Sequence, residues 1–195
     1  MVQICFTRGT AVDTPRGLHS VEDEDLHPCD TAITRGKFIR ALSHADLKPA
    51  RGLRPVLIKA GGLGEGMPDR DMMVSPNHDM LPTTSEAEMM CDERWALVAA
   101  KDLTGLRAMR RMMPDAGTTY AHVMYNRHKV LLADNVWSES FQPGAQAMQS
   151  VSAAQKAEIL ELFPELADGD TAGFGAARVS LKSREAQALL GAPAR

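Results

Sequence analysis

Apolar positions in the first three quarters of the chain come in short runs set between turn formers. Val56-Leu57-Ile58, Met72-Met73-Val74, Trp95-Ala96-Leu97-Val98 and Val130-Leu131-Leu132 are such runs. Thr7-Arg8-Gly9-Thr10, Thr14-Pro15-Arg16-Gly17, Arg35-Gly36, Gly61 to Gly66 and Pro114-Asp115-Ala116-Gly117 punctuate them. Runs this short, bounded by Gly, Pro and Asp, predict strands rather than helices. Between Thr119 and Leu132, Tyr120, His122 and Met124 alternate with Ala121, Val123 and Tyr125. That alternation predicts a hairpin with its turn near Asn126-Arg127. Many short strands at such spacing imply an all-β body, a sandwich or barrel.

After Pro143-Gly144 the texture changes. Ser152 followed by Gln155 has the form of a capping box, and Ile159, Leu160 and Phe163 recur at helical spacing up to Pro164. Ser183 to Leu190 reads as a second helix ending at Gly191, with a loop from Gly169 to Gly175 between the two. The expected division is a β domain over residues 1–144 and a helical C-terminal extension over 145–195, docked on the body or trailing from it. No fixed-period repeat or low-complexity tract interrupts this plan.

Composition narrows the classes. The 195 residues suffice for one domain with an appended piece and a core that needs no disulfide or metal. A hydrophobic share of 44% with 24% charged residues argues against wholesale disorder. A net charge of -3 offers no basic excess for phosphates, so nucleic acid is not an expected partner, and the short Arg107 to Arg111 patch reads as a solvated edge. No apolar run reaches the roughly 18 residues of a spanning helix, and no signal peptide is visible at the start. Membrane partners are therefore not expected, and the compartment stays open between cytoplasmic and exported as part of a larger protein. The twelve methionines read as core filler or partner surface. Three cysteines leave at least one thiol free in a monomer.

Several residues carry candidate chemistry. Cys5 stands just before a tight Gly turn, where a thiol can lie close to its own upstream peptide bond; free cysteine is also commonly a small buried hydrophobe. Ser75 and His78, three residues apart after an apolar run, can converge on one backbone group, bind a carbonyl and protonate a leaving nitrogen. The plainer alternative there is a Ser-Pro turn with a solvated His. His128, at the end of the predicted hairpin turn, is a candidate second proton carrier; it and His122 otherwise read as surface hairpin residues. His19, His27 and His44 sit in polar or turn surroundings. His27 and Cys29 with Cys5 and His19 lack zinc-ligand spacing, so no metal is expected. Gly61 to Gly66 lacks the Lys-Ser/Thr of a phosphate loop, so no cofactor is expected there.

Taken in order, these pieces resemble a Hint domain, the self-processing module shared by Hedgehog proteins and inteins, and in particular the bacterial Hint-domain proteins. Cys5-Phe6-Thr7-Arg8-Gly9-Thr10 through Gly17 and Val21-Glu22-Asp23 resembles the N-terminal block. Met73-Val74-Ser75-Pro76-Asn77-His78 resembles the block with the Thr/Ser-x-x-His pair. Tyr120 through His128 to Val136, with Ser138-Glu139-Ser140-Phe141 and Pro143-Gly144, resembles the C-terminal block. The resemblance covers residues 4 to 144. It implies an N-to-S acyl shift: the Cys5 thiol attacks the Ile4 carbonyl and turns the Ile4-Cys5 peptide bond into a thioester. His78 would protonate the leaving nitrogen, Ser75 would hold the scissile peptide, and His128 would assist proton transfer. The partners implied are the chain's own upstream segment and a small nucleophile or water, with no cofactor.

The chain also departs from the pattern. Inteins end on a His-Asn pair whose Asn cyclises; here Ser138-Glu139 stands in that place, so splicing is not expected. Cys29-Asp30 replaces the usual Gly-Asp, and Cys29 and Cys91 are spare thiols. Only Met1 to Ile4 precede Cys5, so a shift would release four residues unless a longer segment comes first. Two rival functions stand beside self-processing: a scaffold that has lost its chemistry and binds through a Met-rich surface, and a Cys-His hydrolase acting on an external ester or peptide.

Overall fold

The computed structural model describes residues 5–21, 44–45, 54–82, 96–105, 108–112, 118–149 and 151–191. These form two six-stranded antiparallel sheets and a helical tail. The body is all-β, as the short apolar runs predict. The first sheet contains β1 (Phe6–Thr7), β4 (His44–Ala45), β5 (Val56–Ile58), β6 (Met72–Val74), β9 (Met109–Arg111) and β10 (Tyr120–Ala121), in the order β4-β10-β1-β6-β5-β9. The second contains β2 (Ala11–Thr14), β3 (Gly17–Ser20), β7 (Asp79–Met80), β8 (Val98–Ala99), β11 (Val130–Ala133) and β12 (Val136–Glu139), in the order β3-β2-β11-β12-β7-β8.

Phe6, Ile58 and Val74 of the first sheet share one core with Val12, Met80, Val98, Leu131 and Val136 of the second. Burial of this apolar surface, at roughly 25 cal/mol per Å², is what holds such short strands together. The described methionines are all buried or half-buried, with Met72, Met80, Met109 and Met124 fully inside. They fill the core and leave no Met-rich surface among the described residues. Arg110 and Arg111 are exposed on edge strand β9, as expected of a solvated edge.

The expected hairpin over Thr119 to Leu132 is not formed. Tyr120 and Ala121 pair with β1 and β4 in the first sheet, whereas Val130 to Ala133 pair with β2 and β12 in the second. The chain changes sheets between them. The hairpin in this region is β11–β12, closed by Asp134 and Asn135 at φ 47° and 62°. Two consecutive left-handed residues match the right-handed twist of the flanking strands, and Asp and Asn tolerate that conformation. Replacing Asn135 by Val should therefore lower stability by about 1–2 kcal/mol in denaturant melts. An unchanged midpoint would show that the turn does not depend on left-handed tolerance.

The tail is docked on the body. It holds α1 (Ala145–Met148), α2 (Ala153–Leu162), 3-10 turns at Pro164–Asp168 and Ala172–Phe174, and α3 (Ser183–Gly191). The Ser152–Gln155 capping box forms in both directions. The expected loop from Gly169 to Gly175 contains the second 3-10 turn, which seats Phe174 inward. Ile159, Phe163, Leu166 and Phe174 pack on Met124 and Phe141 of the body. Farther on, Leu97 N–H donates to the Val179 carbonyl and Leu181 N–H donates to the Leu97 carbonyl, both at 2.8 Å. These bonds lay residues 179–181 alongside the chain that leads into β8.

Candidate functional site

Crossings between the sheets carry the candidate chemistry. Ser75 to His78 is the corner from β6 to β7, and His122 to Lys129 is the corner from β10 to β11. Cys5 immediately precedes β1, which lies between β10 and β6. Corner residues escape the alternation of a strand, so polar side chains there can turn into the core.

Cys5 and Ser75 are held together through their backbones. Ser75 N–H donates to the Cys5 carbonyl at 2.9 Å, and Cys5 N–H donates to Ser75 Oγ at 3.0 Å. The sequence spacing places Ser75 near the cysteine only through the resemblance; in the structure, pairing of β1 with β6 brings together two residues 70 positions apart. The hydroxyl oxygen thus sits at the nitrogen that would leave in an acyl shift.

The imidazole at the thiol belongs to His122. Cys5 Sγ lies 3.3 Å from Nδ1 and 3.6 Å from Nε2 of that ring. His122 is buried, not on a hairpin surface, and its ring packs on Phe141 with centroids 4.7 Å apart. Burial pushes the Cys5 thiol well above its ordinary value; Ser75 works against this and the Glu139 carboxyl reinforces it. The resting sulfur is therefore a protonated thiol that needs a base.

His78 is completely buried, and its ring stands edge-on to Phe6 with centroids 4.3 Å apart. Neither ring nitrogen has a hydrogen-bond partner among the described residues. Burial, with the nearby His122 and His128, pushes its pKa down to about 3, so it is neutral at neutral pH. A solvated turn histidine is not what the corner holds.

His128 is also buried, contrary to the surface expectation. Ala177 N–H donates to its Nδ1 at 2.9 Å, and its Nε2 lies 3.2 Å from Glu139 Oε2. Burial lowers its pKa, against the pull of Asp79 and the Ser140 backbone. Glu139 is nearly inaccessible, and its Oε1 accepts the Asp79 N–H at 2.7 Å. Burial raises Glu139 to about 8 and Asp79 to about 7, where Glu139 adds to the rise. Sequence reasoning left both His122 and Glu139 unassigned. The signal for each was a polar residue at an inward step of an apolar stretch: His122 between Tyr120 and Met124, and Glu139 between Trp137 and Phe141.

The two raised carboxyls set a pH dependence. Each binds its proton more tightly folded than unfolded, so stability falls as pH rises from the carboxylate range through about 8. The lowered histidines act in the opposite sense, but only below the ordinary imidazole value of about 6.5. From there to pH about 8 the carboxyl effect is unopposed. Thermal melts should drop across that interval, and Glu139→Gln should flatten the drop. An equal slope in the variant would show that Glu139 is already ionised when folded.

Among the described residues, no group of three or more His, Cys, Asp or Glu is placed to hold a metal ion. The Gly61 to Gly66 segment folds on itself: Gly61, Gly62 and Gly64 donate their amides to Pro68, Lys59 and Gly61 carbonyls. No described helix is long and apolar enough to cross a membrane. Cys29, Cys91 and His27 lie outside the described residues, as does the His44 side chain.

Residues 4–145, which hold the cysteine just ahead of β1 and the Ser-x-x-His corner bonded to it, match a family model described as Hint domain. The chain belongs to the Hint domain family. The fold is thus of the Hint/intein self-processing type. No curated protein and no solved structure matches the chain significantly. The Hint match ends at 145, so α2, α3 and the Phe174–Leu181 segment lie beyond it.

Proposed function

We propose that this Hint domain carries out a single-turnover self-processing reaction, an N-to-S acyl shift at the Ile4-Cys5 peptide bond. The observation that carries this reading is the double placement of Cys5, with its sulfur 3.3 Å from His122 Nδ1 and its backbone nitrogen 3.0 Å from Ser75 Oγ. Nucleophile and leaving group belong to one residue, and each faces a group suited to its step.

In this reading His122 takes the thiol proton as Sγ attacks the Ile4 carbonyl carbon. The tetrahedral intermediate collapses by breaking the C–N bond. The nitrogen leaves as the Cys5 amine and takes up the proton that His122 received from sulfur, relayed through His78, which the family resemblance makes the donor. A protonated His78 is a strong acid in this pocket, because burial holds its pKa near 3. A charge on His122 disfavours a proton on His78. The proton that enters from sulfur leaves on nitrogen, and both rings end neutral. Ser75 holds the scissile amide, and His128 acts at the edge of the site. Water, a thiol, an amine or an alcohol then cleaves the thioester. Ser138 and Glu139 supply no cyclising amide, so the reaction stops at cleavage.

The test is a carrier protein fused ahead of Val2, incubated with dithiothreitol or hydroxylamine, and the products weighed. Cleavage before Cys5 supports the proposal. A fusion that stays intact under every nucleophile overturns it, and turnover of added esters by an intact fusion favours a hydrolase.

A further inference from the structure

The segment that follows the family match is joined to the site by a polar bond as well as by apolar packing. Ala177 N–H donates to His128 Nδ1 at 2.9 Å. A neutral imidazole has one donor and one acceptor nitrogen, so a ring that accepts at Nδ1 carries its proton on Nε2. That nitrogen lies 3.2 Å from Glu139 Oε2. His128 therefore carries its N–H on the nitrogen nearer Glu139, though the angle between them is not that of a hydrogen bond, and the other Glu139 oxygen is taken by the Asp79 amide.

The amide is held in place on both sides. Upstream, Gln142 Nε2 donates to the Phe174 carbonyl at 2.7 Å. Downstream, the two bonds to Leu97 fix Val179 and Leu181. Phe174 also belongs to the apolar cluster containing Phe141, whose ring packs on His122. One short stretch thus supports both imidazoles of the β10–β11 corner. An extension that merely covered apolar surface would have no need of a backbone donor aimed at a buried ring nitrogen.

We propose that residues 174–181 form a positioning element of the Hint domain, in which the Ala177 amide fixes His128 as the Nε2–H tautomer. Its effect on the rate rests on the self-processing reading; its effect on the tautomer does not.

Ring nitrogens of 15N-histidine-labelled full chain are read by long-range proton–nitrogen correlation, with the His128 signal assigned by its loss in His128→Gln. The expected wild-type signature is a protonated Nε2 and a bare Nδ1. Ala177→Pro removes the donor and should give a mixed or reversed tautomer, whereas Ala177→Gly keeps it and should look like wild type. In the carrier fusion, Ala177→Pro should slow thiol-induced cleavage about tenfold, the loss expected for one buried hydrogen bond, and Ala177→Gly should restore it. A wild-type His128 protonated on Nδ1 overturns the proposal, as does an Ala177→Pro variant with unchanged tautomer. The wild-type spectrum decides even where the proline variant fails to fold. An uncleaved wild-type fusion with His128 in the expected tautomer would defeat the self-processing reading and leave the positioning element standing.

Discussion

A carrier fusion bearing Cys5→Ala should stay uncleaved in dithiothreitol and in hydroxylamine, while the unsubstituted fusion should be cut before residue 5. The expected loss is complete, because in the proposed shift the sulfur is both the nucleophile and the atom that holds the acyl group. Alanine keeps the backbone nitrogen and carbonyl that bond to Ser75, so the corner survives. The sulfur's interactions with His122 and Ser75 and its packing beside Tyr120 are lost. A melting temperature near that of the parent would confirm that folding is not the cause. Intact-mass measurement gives the site of cleavage. Continued cleavage at the same bond in Cys5→Ala would remove the thioester from the mechanism.

His122→Ala should slow thiol-induced cleavage by about 10²–10⁴-fold, the usual cost of losing one acid–base group. The physical reason is the state of the thiol. Burial holds it protonated well above its ordinary range, so spontaneous ionisation inside the pocket is rare. His122 is the group at the sulfur that can take the proton as the bond forms. Without it the reaction depends on hydroxide reaching the site. The residual rate of the variant should therefore climb with pH more steeply than that of the parent. A change confined to packing against Phe141 would lower the rate without altering its pH dependence. Equal rates in parent and variant at neutral pH would transfer the base role away from His122.

Much of the fold is legible in short stretches. Val56 to Ile58, Met72 to Val74 and Val130 to Ala133 are apolar runs between turn residues, and each forms a strand. Ser152 and Gln155 announce a helix start, because both halves of a capping box lie within one turn. The error over Thr119 to Leu132 shows the boundary of such reading. Alternation marks a strand but does not name its partner, and here the partners come from β1, β2, β4 and β12. The Asp134-Asn135 turn escaped notice because neither residue is Gly.

The site divides in the same way. Cys5, Ser75 and His78 stand out because each lies in a short motif resembling a family block. His122 lies beside Cys5 through the pairing of β1 with β10, across 117 positions, and no local pattern records that distance. Glu139 resembles a surface carboxylate until the β7–β12 pairing encloses it.

The burial of Cys5 bears on where the proposed shift comes to rest. The released amine would emerge against Ser75 Oγ in a place closed to water, where a positive charge is poorly solvated. It would stay neutral and nucleophilic, beside the thioester just made. Return to the amide is then fast, and the thioester exists as a small fraction in balance with its parent peptide. Product yield becomes a contest between that return and capture from outside. It should scale with the concentration and reach of the arriving nucleophile, and without an added one only slow hydrolysis by water should remain.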